Sequence, residues 1–319
     1  IRGIIPAQIL THVERLLKEV YEDHTYKIAD HFDLIAGTST GGILGMAYLM
    51  PDFGRPMYTA EQVLDIYFER GDEIFDVPFY HKLTSAGGLL DEKYPDGGLN
   101  ETLNDYFGEV KLNELLKPTL FTAYDIKRRK AHFFTQHKAD DPERNFYVKD
   151  VARATAAAPT YFEPAKIKSE AKKYYPLIDG AIFANNPAMC AYAELRHSFS
   201  TEDHKVCAPN IKLLSLGTGY SHQAYHFAEV KDWGASRWAK PMIDFMMAGG
   251  AETVDYQLCQ LYDGIDAPEQ YLRVDGELPV EISQDMDCVE PDNLQRLKDF
   301  GDKLFDDNKE AILQFIKTP

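Results

Sequence analysis

The segment Gly37-Thr38-Ser39-Thr40-Gly41 places a serine between two glycines, a pattern that can present a hydroxyl group as a nucleophile. The apolar run "FDLIAG" precedes the serine, and "GILGMAYLM" follows it. In such a strand–turn–helix the glycines permit a cramped turn, and the helix directs its first amides and positive dipole end at the reaction centre. We therefore predict that Ser39 is a nucleophile for acyl transfer. The alternative is a turn that needs glycine for tight packing only.

A serine hydroxyl needs a proton acceptor, and Asp179 is the candidate. It ends the strand-like segment "YYPLI" and precedes Gly180, and strand ends in open α/β sheets are where sites form. A carboxylate in a dry pocket has a raised proton affinity and can serve a serine directly. A serine–aspartate dyad is therefore chemically coherent. The alternative role for Asp179 is to cap a turn with its side chain.

Histidine, the usual base, fits the pattern poorly. In an α/β-hydrolase the histidine follows a late strand, whereas the last histidine here is His226 and the rest of the chain contains none. His197 falls on a predicted helix face, and His204, His222 and His226 lie in polar, loop-like segments. We interpret these four as surface or cap residues. A Ser-His-Asp carboxylesterase is the alternative that they leave open.

The elements that must position Ser39 and Asp179 alternate along the chain. Apolar periodicity predicts helices over 6–22, 42–49, 60–75, 148–158, 187–199, 238–261 and from 292 onwards. Strands are predicted over 32–36, 119–126, 131–136, 174–178 and 211–216 and in "YLRVD". This alternation predicts an α/β fold, a three-layer sandwich with a central, mostly parallel sheet. With no internal repeat and no linker-like change in composition, we predict one domain over 1–319.

Composition disfavours several kinds of partner. The chain has 319 residues and a net charge of −17, which disfavours a nucleic-acid polymer and adsorption to anionic lipid by bulk charge. No apolar run reaches the ~18 residues of a membrane span. Four widely spaced cysteines without a Cys-x-x-Cys pair are typical of reduced thiols and predict a cytoplasmic protein. No acidic cluster has the spacing of a calcium loop, so a metal is not indicated.

Several motifs in a fixed order resemble those of the patatin-like phospholipase family. They are "GTSTGG" (37–42), "ATAAAPTYFEPA" (154–165), "DGA" (179–181), "FANNPA" (183–188), "LLSLGTG" (213–219) and "MIDFMMAGGAETVDYQLCQLY" (242–262). The resemblance runs from Ile1 to about Asp275 and implies the patatin-like variant of the hydrolase fold. It implies a Ser39–Asp179 dyad, with Gly37, Gly41 and Gly180 as motif glycines. It also implies a phospholipase A type lipid acyl hydrolase without metal or organic cofactor, acting on membrane phospholipid or galactolipid by peripheral contact.

The resemblance also points to a missing part. The family opens with a strand and the motif Asp-Gly-Gly-Gly-x-Arg-Gly, whose glycine amides form the oxyanion hole. This chain supplies Ile1-Arg2-Gly3, the end of that motif, so we expect the strand and glycine loop to precede Ile1 in the full protein. The amides of Gly3 and Thr40 are the predicted oxyanion donors. Arg2 is predicted to hold the loop or to offset developing negative charge.

Four further questions stay open from the sequence. The segment "WGASRWAKPMIDFMM" (233–247) predicts a core helix with an aromatic cap or, alternatively, a lid or interfacial patch. The glycine-rich segment 84–100 is predicted as a loop and is a second lid candidate. The basic segment 127–130 is predicted as a solvated hairpin turn, with contact to lipid phosphate as the alternative. A non-catalytic storage or binding protein would also keep this fold.

Regulation is the last hypothesis that the resemblance raises. Some bacterial members of the family are activated by cyclic nucleotides in antiphage defence and then degrade the membrane of their own cell. A cyclic-nucleotide activator and a homo-oligomer are therefore hypotheses for this chain, although no motif in it identifies a nucleotide pocket.

Overall fold

The computed structural model describes residues 1–74, 97–221, 224–283 and 285–317. Its helices in chain order are α1 (Ile4–Val20), α2 (Ile28–His31), α3 (Thr40–Leu49), α4 (Ala60–Ile74), α5 (Gly97–Phe107), α6 (Val148–Thr155), α7 (Ala181–Ala184), α8 (Ala188–Phe199), α9 (Phe227–Val230), α10 (Ala235–Asp263) and α11 (Pro291–Lys317). Its strands are β1 (Ile35–Thr38), β2 (Pro51–Asp52), β3 (Arg55–Pro56), β4 (Thr119–Asp125), β5 (Lys130–Phe134), β6 (Ala165–Lys168), β7 (Tyr174–Asp179), β8 (Leu213–Leu216) and β9 (Tyr271–Val274).

Most predicted elements occupy nearly the predicted residues. The strand predicted over 32–36 instead spans Ile35–Thr38, because its pairing with β4 begins where β4 begins, with Ile35 opposite Thr119. The loop predicted over 84–100 lies mostly outside the described residues, and its last four residues begin α5 rather than continue a loop. The basic segment 127–130 forms the turn into β5, as predicted, and the Asp125 carboxylate accepts hydrogen bonds from two of its amides.

The central sheet is mixed. β4 pairs in parallel with β1 and antiparallel with β5 and β7, and β7 pairs antiparallel with β6. Short turns over 126–129 and 169–173 join β4 to β5 and β6 to β7, and connections this short favour antiparallel neighbours. The sheet therefore has fewer parallel pairs than the alternation of strands and helices predicts. A second, separate pair formed by β8 and β9 is parallel.

Helices cover both faces of the central sheet. α3 lies on the face of Ile35, where a Cβ added to Gly45 would stand 2.9 Å from the Ile35 side chain and 2.8 Å from that of Phe121. α7 lies on the opposite face, where the Thr38 hydroxyl donates to the Ala184 carbonyl at 2.6 Å. Thr38 is three positions from Ile35, and residues an odd number apart in a strand point to opposite faces. The predicted α/β sandwich of three layers is confirmed.

Apolar residues form two clusters. The larger includes the sheet and the helices α1, α3, α4, α6 and α11, with Phe107, Phe121, Phe134 and Phe146 among its largest fully buried side chains. The smaller lies between α8, α10 and the β8–β9 pair and centres on Tyr262. Among the described residues, no helix combines the length and the apolar character that a bilayer crossing requires.

Candidate active site

Two strands meet end to end along one edge of β4. β5 pairs with the whole stretch from Phe121 to Asp125, so β1 and β7 share the other edge. β1 runs parallel to β4 and ends with Thr38 opposite Thr122, whereas β7 runs antiparallel and ends with Asp179 opposite Ala123. The carboxyl ends of both strands therefore meet at neighbouring register positions. This meeting places Ser39, the residue after β1, beside Asp179.

Ser39 occupies a turn that few L-amino acids adopt. Its φ is 55° and its ψ is −127°, outside the broadly allowed regions. Its amide donates to the Thr155 hydroxyl at 2.9 Å, and that hydroxyl donates to the Thr122 carbonyl at 2.7 Å. Its carbonyl accepts the Gly42 and Ile43 amides at 2.9 and 3.2 Å, which starts α3. The backbone is held on both sides of Ser39, which lines the cleft described below.

The motif glycines have different roles. A Cβ on Gly37 would stand 2.3 Å from the Gly41 carbonyl oxygen, and one on Gly180 would stand 2.1 Å from the Thr122 hydroxyl. Both positions therefore require glycine. We expected the same of Gly41, but its Cβ position has no heavy atom within 4 Å. Gly41 supplies the backbone that Gly37 approaches, and it lines the cleft itself.

Asp179 is buried, with 3% of its surface exposed. One of its carboxylate oxygens accepts the Ala181 amide at 2.8 Å, and the nearby Ser39 side chain also favours the ionised form. Burial raises the pKa of Asp179 to about 6, because the Ala181 amide and the Ser39 side chain only partly offset the loss of solvation. The carboxylate therefore binds a proton more tightly than an exposed aspartate yet is ionised at neutral pH. It caps the turn, and its position beside Ser39 is compatible with the proton-acceptor role, which stays a prediction.

The two predicted oxyanion donors lie together. Gly3 is the N-cap of α1 and Thr40 is the first residue of α3. A Cβ on Gly3 would stand 2.4 Å from the Thr40 hydroxyl and 2.3 Å from that of Tyr67. The first amides of a helix have no acceptor within it, so the Thr40 amide is available to a developing negative charge. Arg2, the third predicted residue, lines the same cleft.

The electrostatic surroundings of Arg2 are mixed. Burial lowers the pKa of its guanidinium, while nearby Asp244, Tyr161 and Asp285 act in the opposite direction. Asp244 belongs to α10, so the residues next to the dyad and the N-terminal half of that helix influence each other across the cleft. Arg2 thus places a cation at the cleft wall, where negative charge would develop.

Sequence reasoning missed two supporting residues, Thr155 and Tyr67. Thr155 links the Ser39 amide to β4, and Tyr67 hydrogen-bonds the Thr40 hydroxyl. Burial raises the pKa of Tyr67, so its hydroxyl stays protonated. Thr155 falls within the motif "ATAAAPTYFEPA" that carried the family resemblance, which was its only signal. Tyr67 lies within the helix predicted over 60–75, and no signal in the sequence indicated a role at the site.

The dyad opens into a cleft of about 1680 Å³. β1 lines it on one side, β8 on another, and the middle of α10 also contributes to its wall. Ile35, Leu44 and Leu216 are among its many apolar lining residues. With a lining drawn from both β1 and β8, the cleft exceeds the about 300–1,000 Å³ that is usual for sites of drug-sized ligands.

No late histidine in the described part of the chain lines the cleft. His197, His204 and His226 are exposed, and His222 lies outside the described residues. His31 does line the cleft, but it precedes β1, whose length separates it from Ser39. Nor do the described residues contain a group of three side chains able to hold a metal ion.

Comparisons with known proteins find relatives over nearly the whole chain. The family model described as "Patatin-like phospholipase" matches residues 1–192. The chain is 31% identical to Patatin-like protein 4 of Arabidopsis thaliana, over 97% of this chain and 81% of that protein. It is also 31% identical to Patatin-T5 of Solanum tuberosum, over 99% of this chain and 85% of that protein. The chain is also 31% identical to the Solanum tuberosum protein named "Probable inactive patatin-3-Kuras 1", over 99% of this chain and 89% of that protein.

Proposed function

Because the chain belongs to the patatin-like phospholipase family, we propose that it is a lipid acyl hydrolase that cleaves membrane glycerolipids through Ser39 and Asp179. One observation carries this proposal: the strained Ser39 lies beside a buried carboxylate whose pKa is raised to about 6. A relative whose printed name calls it inactive is as similar as the others. The dyad, rather than family membership alone, therefore supports activity.

The proposed reaction proceeds through an acyl-enzyme. The Ser39 oxygen attacks the ester carbonyl carbon while its proton passes to Asp179, and the carbonyl electron pair becomes an oxyanion. The amides of Gly3 and Thr40 hold that oxyanion. Collapse of the intermediate breaks the ester bond, and the departing lysolipid oxygen takes the proton from Asp179. Water then attacks the acyl-enzyme with Asp179 again as base, which releases the fatty acid and restores Ser39.

Access to the substrate is proposed to be peripheral. A phospholipid or galactolipid presents its ester at the membrane interface, and the cleft beside Ser39 and Asp179 is lined by many apolar side chains. The four cysteines are free, in keeping with the cytoplasmic location that we propose. Activation by a cyclic nucleotide and assembly into a homo-oligomer stay predictions. Assaying hydrolysis with a panel of cyclic di- and trinucleotides tests the former, and light scattering tests the latter.

The proposed activity is tested by mass spectrometry of lipids after incubation of the full-length protein with mixed vesicles of phospholipid and galactolipid. We expect free fatty acid and lysolipid, and a loss of about 10³-fold or more in Ser39→Ala and Asp179→Asn. Ser169→Ala, which alters another serine, and Asp125→Asn, which alters another buried aspartate of the same sheet, should retain activity. Unchanged lipid in the parent protein would refute the hydrolase.

Labelling and histidine substitution separate the two rival interpretations. A fluorophosphonate should label Ser39, and a parent protein that resists labelling would support a non-catalytic binding or storage role. Replacing His197, His204, His222 or His226 by alanine should leave hydrolysis intact. A collapse in any one of these variants would favour the Ser-His-Asp carboxylesterase.

A further inference from the structure

The N-terminal half of α10, residues 235–248, exposes large apolar side chains. The exposed fraction lies between 40% and 58% for Met242, Ile243, Phe245 and Met246. The C-terminal half of the same helix is packed, because Leu258 and Tyr262 are buried in the smaller core. Contiguous exposed apolar surface on a protein usually marks a site of interaction. The C-terminal half of α10 is therefore packed, whereas apolar side chains of its N-terminal half are exposed to solvent.

This apolar surface is continuous with the catalytic cleft. Ile243 and Phe245 line the cleft and are also exposed. Met242 and Met246, one helical turn apart, are exposed and do not line it. An acyl chain that crossed this surface would therefore remain beside apolar groups from the exterior to the cleft.

The exposed half of α10 meets the packed half at two residues with low helix propensity. Gly249 and Gly250 follow each other there, and a Cβ on either would have no heavy atom within 4 Å. Packing therefore does not require glycine, although glycine disfavours a helix relative to alanine. The Asn185 side chain donates to the Met247 carbonyl at 3.3 Å and holds the helix just before this pair.

A cluster of aromatic side chains packs against Phe245 of the apolar surface. Tyr225 packs edge-on against Trp233 and Phe245, with ring centroids 5.7 and 5.2 Å apart, and Trp233 packs against Trp238 at 5.3 Å. Tryptophan and tyrosine combine an apolar ring with a polar group, which suits them to the boundary between lipid and water.

We propose that the N-terminal half of α10 is a membrane-docking surface, which inserts its exposed apolar side chains into a lipid interface next to the cleft entrance. This rests on the proposed lipid acyl hydrolase function. Asp244 lies within the surface and the chain carries a net charge of −17, so attraction to anionic lipid does not drive the contact. Insertion of apolar side chains into a neutral interface drives the contact instead, and the partner is a zwitterionic bilayer.

Docking is tested separately from hydrolysis in Ser39→Ala protein, which leaves vesicles intact. Its partition onto phosphatidylcholine vesicles is measured by co-sedimentation, with and without Met242→Ser and Met246→Ser together. We expect this pair of changes to lower the partition coefficient by about tenfold, because two inserted side chains are lost. Phe53→Ser is the matched control, since Phe53 is fully exposed but lies in the β2–β3 turn, at the end of α3 opposite to Ser39.

The same methionine changes are then made in protein that retains Ser39. Vesicle hydrolysis should fall with the partition coefficient, while hydrolysis of a short, water-soluble ester should stay within about twofold of the parent. Three results would overturn docking: unchanged partition, an equal loss in Phe53→Ser, or dissociation by the methionine changes of a dimer seen by light scattering. If the parent cleaves neither ester nor vesicle lipid while methionine-dependent partition persists, the hydrolase proposal fails and docking stands.

Discussion

Replacing Asp179 by asparagine should abolish hydrolysis and, at neutral pH, stabilise the fold. Asparagine has nearly the same shape, and its side-chain oxygen can still accept the Ala181 amide. What the change removes is the negative charge of a fully buried carboxylate. An ionised carboxylate in a desolvated site lowers the free energy of unfolding, and the protein keeps it because the proposed reaction needs a base.

The size of the effect follows from the raised pKa. Burial takes the pKa of Asp179 from 3.8 to about 6, a difference of roughly two units, which corresponds to about 3 kcal/mol. Between pH 3.8 and 6 the folded protein holds a proton that the unfolded chain has released, so stability falls as the pH rises. The cost is complete above pH 6 and absent below pH 3.8. Since a buried amide also loses some hydration, we expect Asp179→Asn to gain about 1–3 kcal/mol at pH 7.

Denaturant unfolding of parent and variant between pH 4 and 8 measures this gain. The free energy of unfolding of Asp179→Asn should exceed that of the parent at pH 7, and the difference should shrink towards pH 4. Asp125→Asn is a control of opposite sign, because hydrogen bonds and the Arg128 charge lower the pKa of Asp125. That variant should be less stable than the parent at neutral pH. An Asp179→Asn protein that is less stable at pH 7, or a difference that does not vary with pH, would refute desolvation as the cause of the raised pKa.

Three further outcomes are expected. In the parent, kcat/KM for a soluble ester should rise with pH and level off above about pH 6, as Asp179 ionises; a flat profile from pH 4 to 8 would contradict its role as base. Gly37→Ala should destabilise the fold by several kcal/mol in thermal or denaturant unfolding, whereas Gly41→Ala should fold normally, and equal losses would contradict the close approach. Thr155→Val should lower the free energy of unfolding by about 1–3 kcal/mol, because the hydroxyl that links the Ser39 amide to β4 is lost. It should also lower kcat, since Ser39 is then less well oriented, and full activity would show that the Thr155 hydroxyl is dispensable.

The sequence carried strong local signals for both members of the dyad. The turn around Ser39 is a short contiguous pattern, and its glycine at position 37 is required by contacts within the same turn. Asp179 was identifiable because it ends an apolar strand and precedes a glycine. Most helices were predictable for the same reason, since periodicity is a property of a single segment.

Features that depend on contacts between distant segments had no comparable signal. The edge of β4 that receives β7 is set by the pairing of Ala123 with Asp179, and neither residue indicates that register alone. The roles of Thr155 and Tyr67 arise only when α6 and α4 pack beside α3. The start of β1 was misplaced because it is set by the partner strand, whose first residue, Thr119, lies opposite Ile35.

In the proposed dyad, a backbone amide holds the carboxylate in place. In a catalytic triad the base needs a third group that fixes its orientation. Here the Ala181 amide fills that role, because it binds one carboxylate oxygen of Asp179. Gly180 allows the turn that presents this amide, since its Cα lies close against Thr122, the residue opposite the end of β1. One set of contacts on β4 thus sets the positions of both the proposed nucleophile and its proposed base.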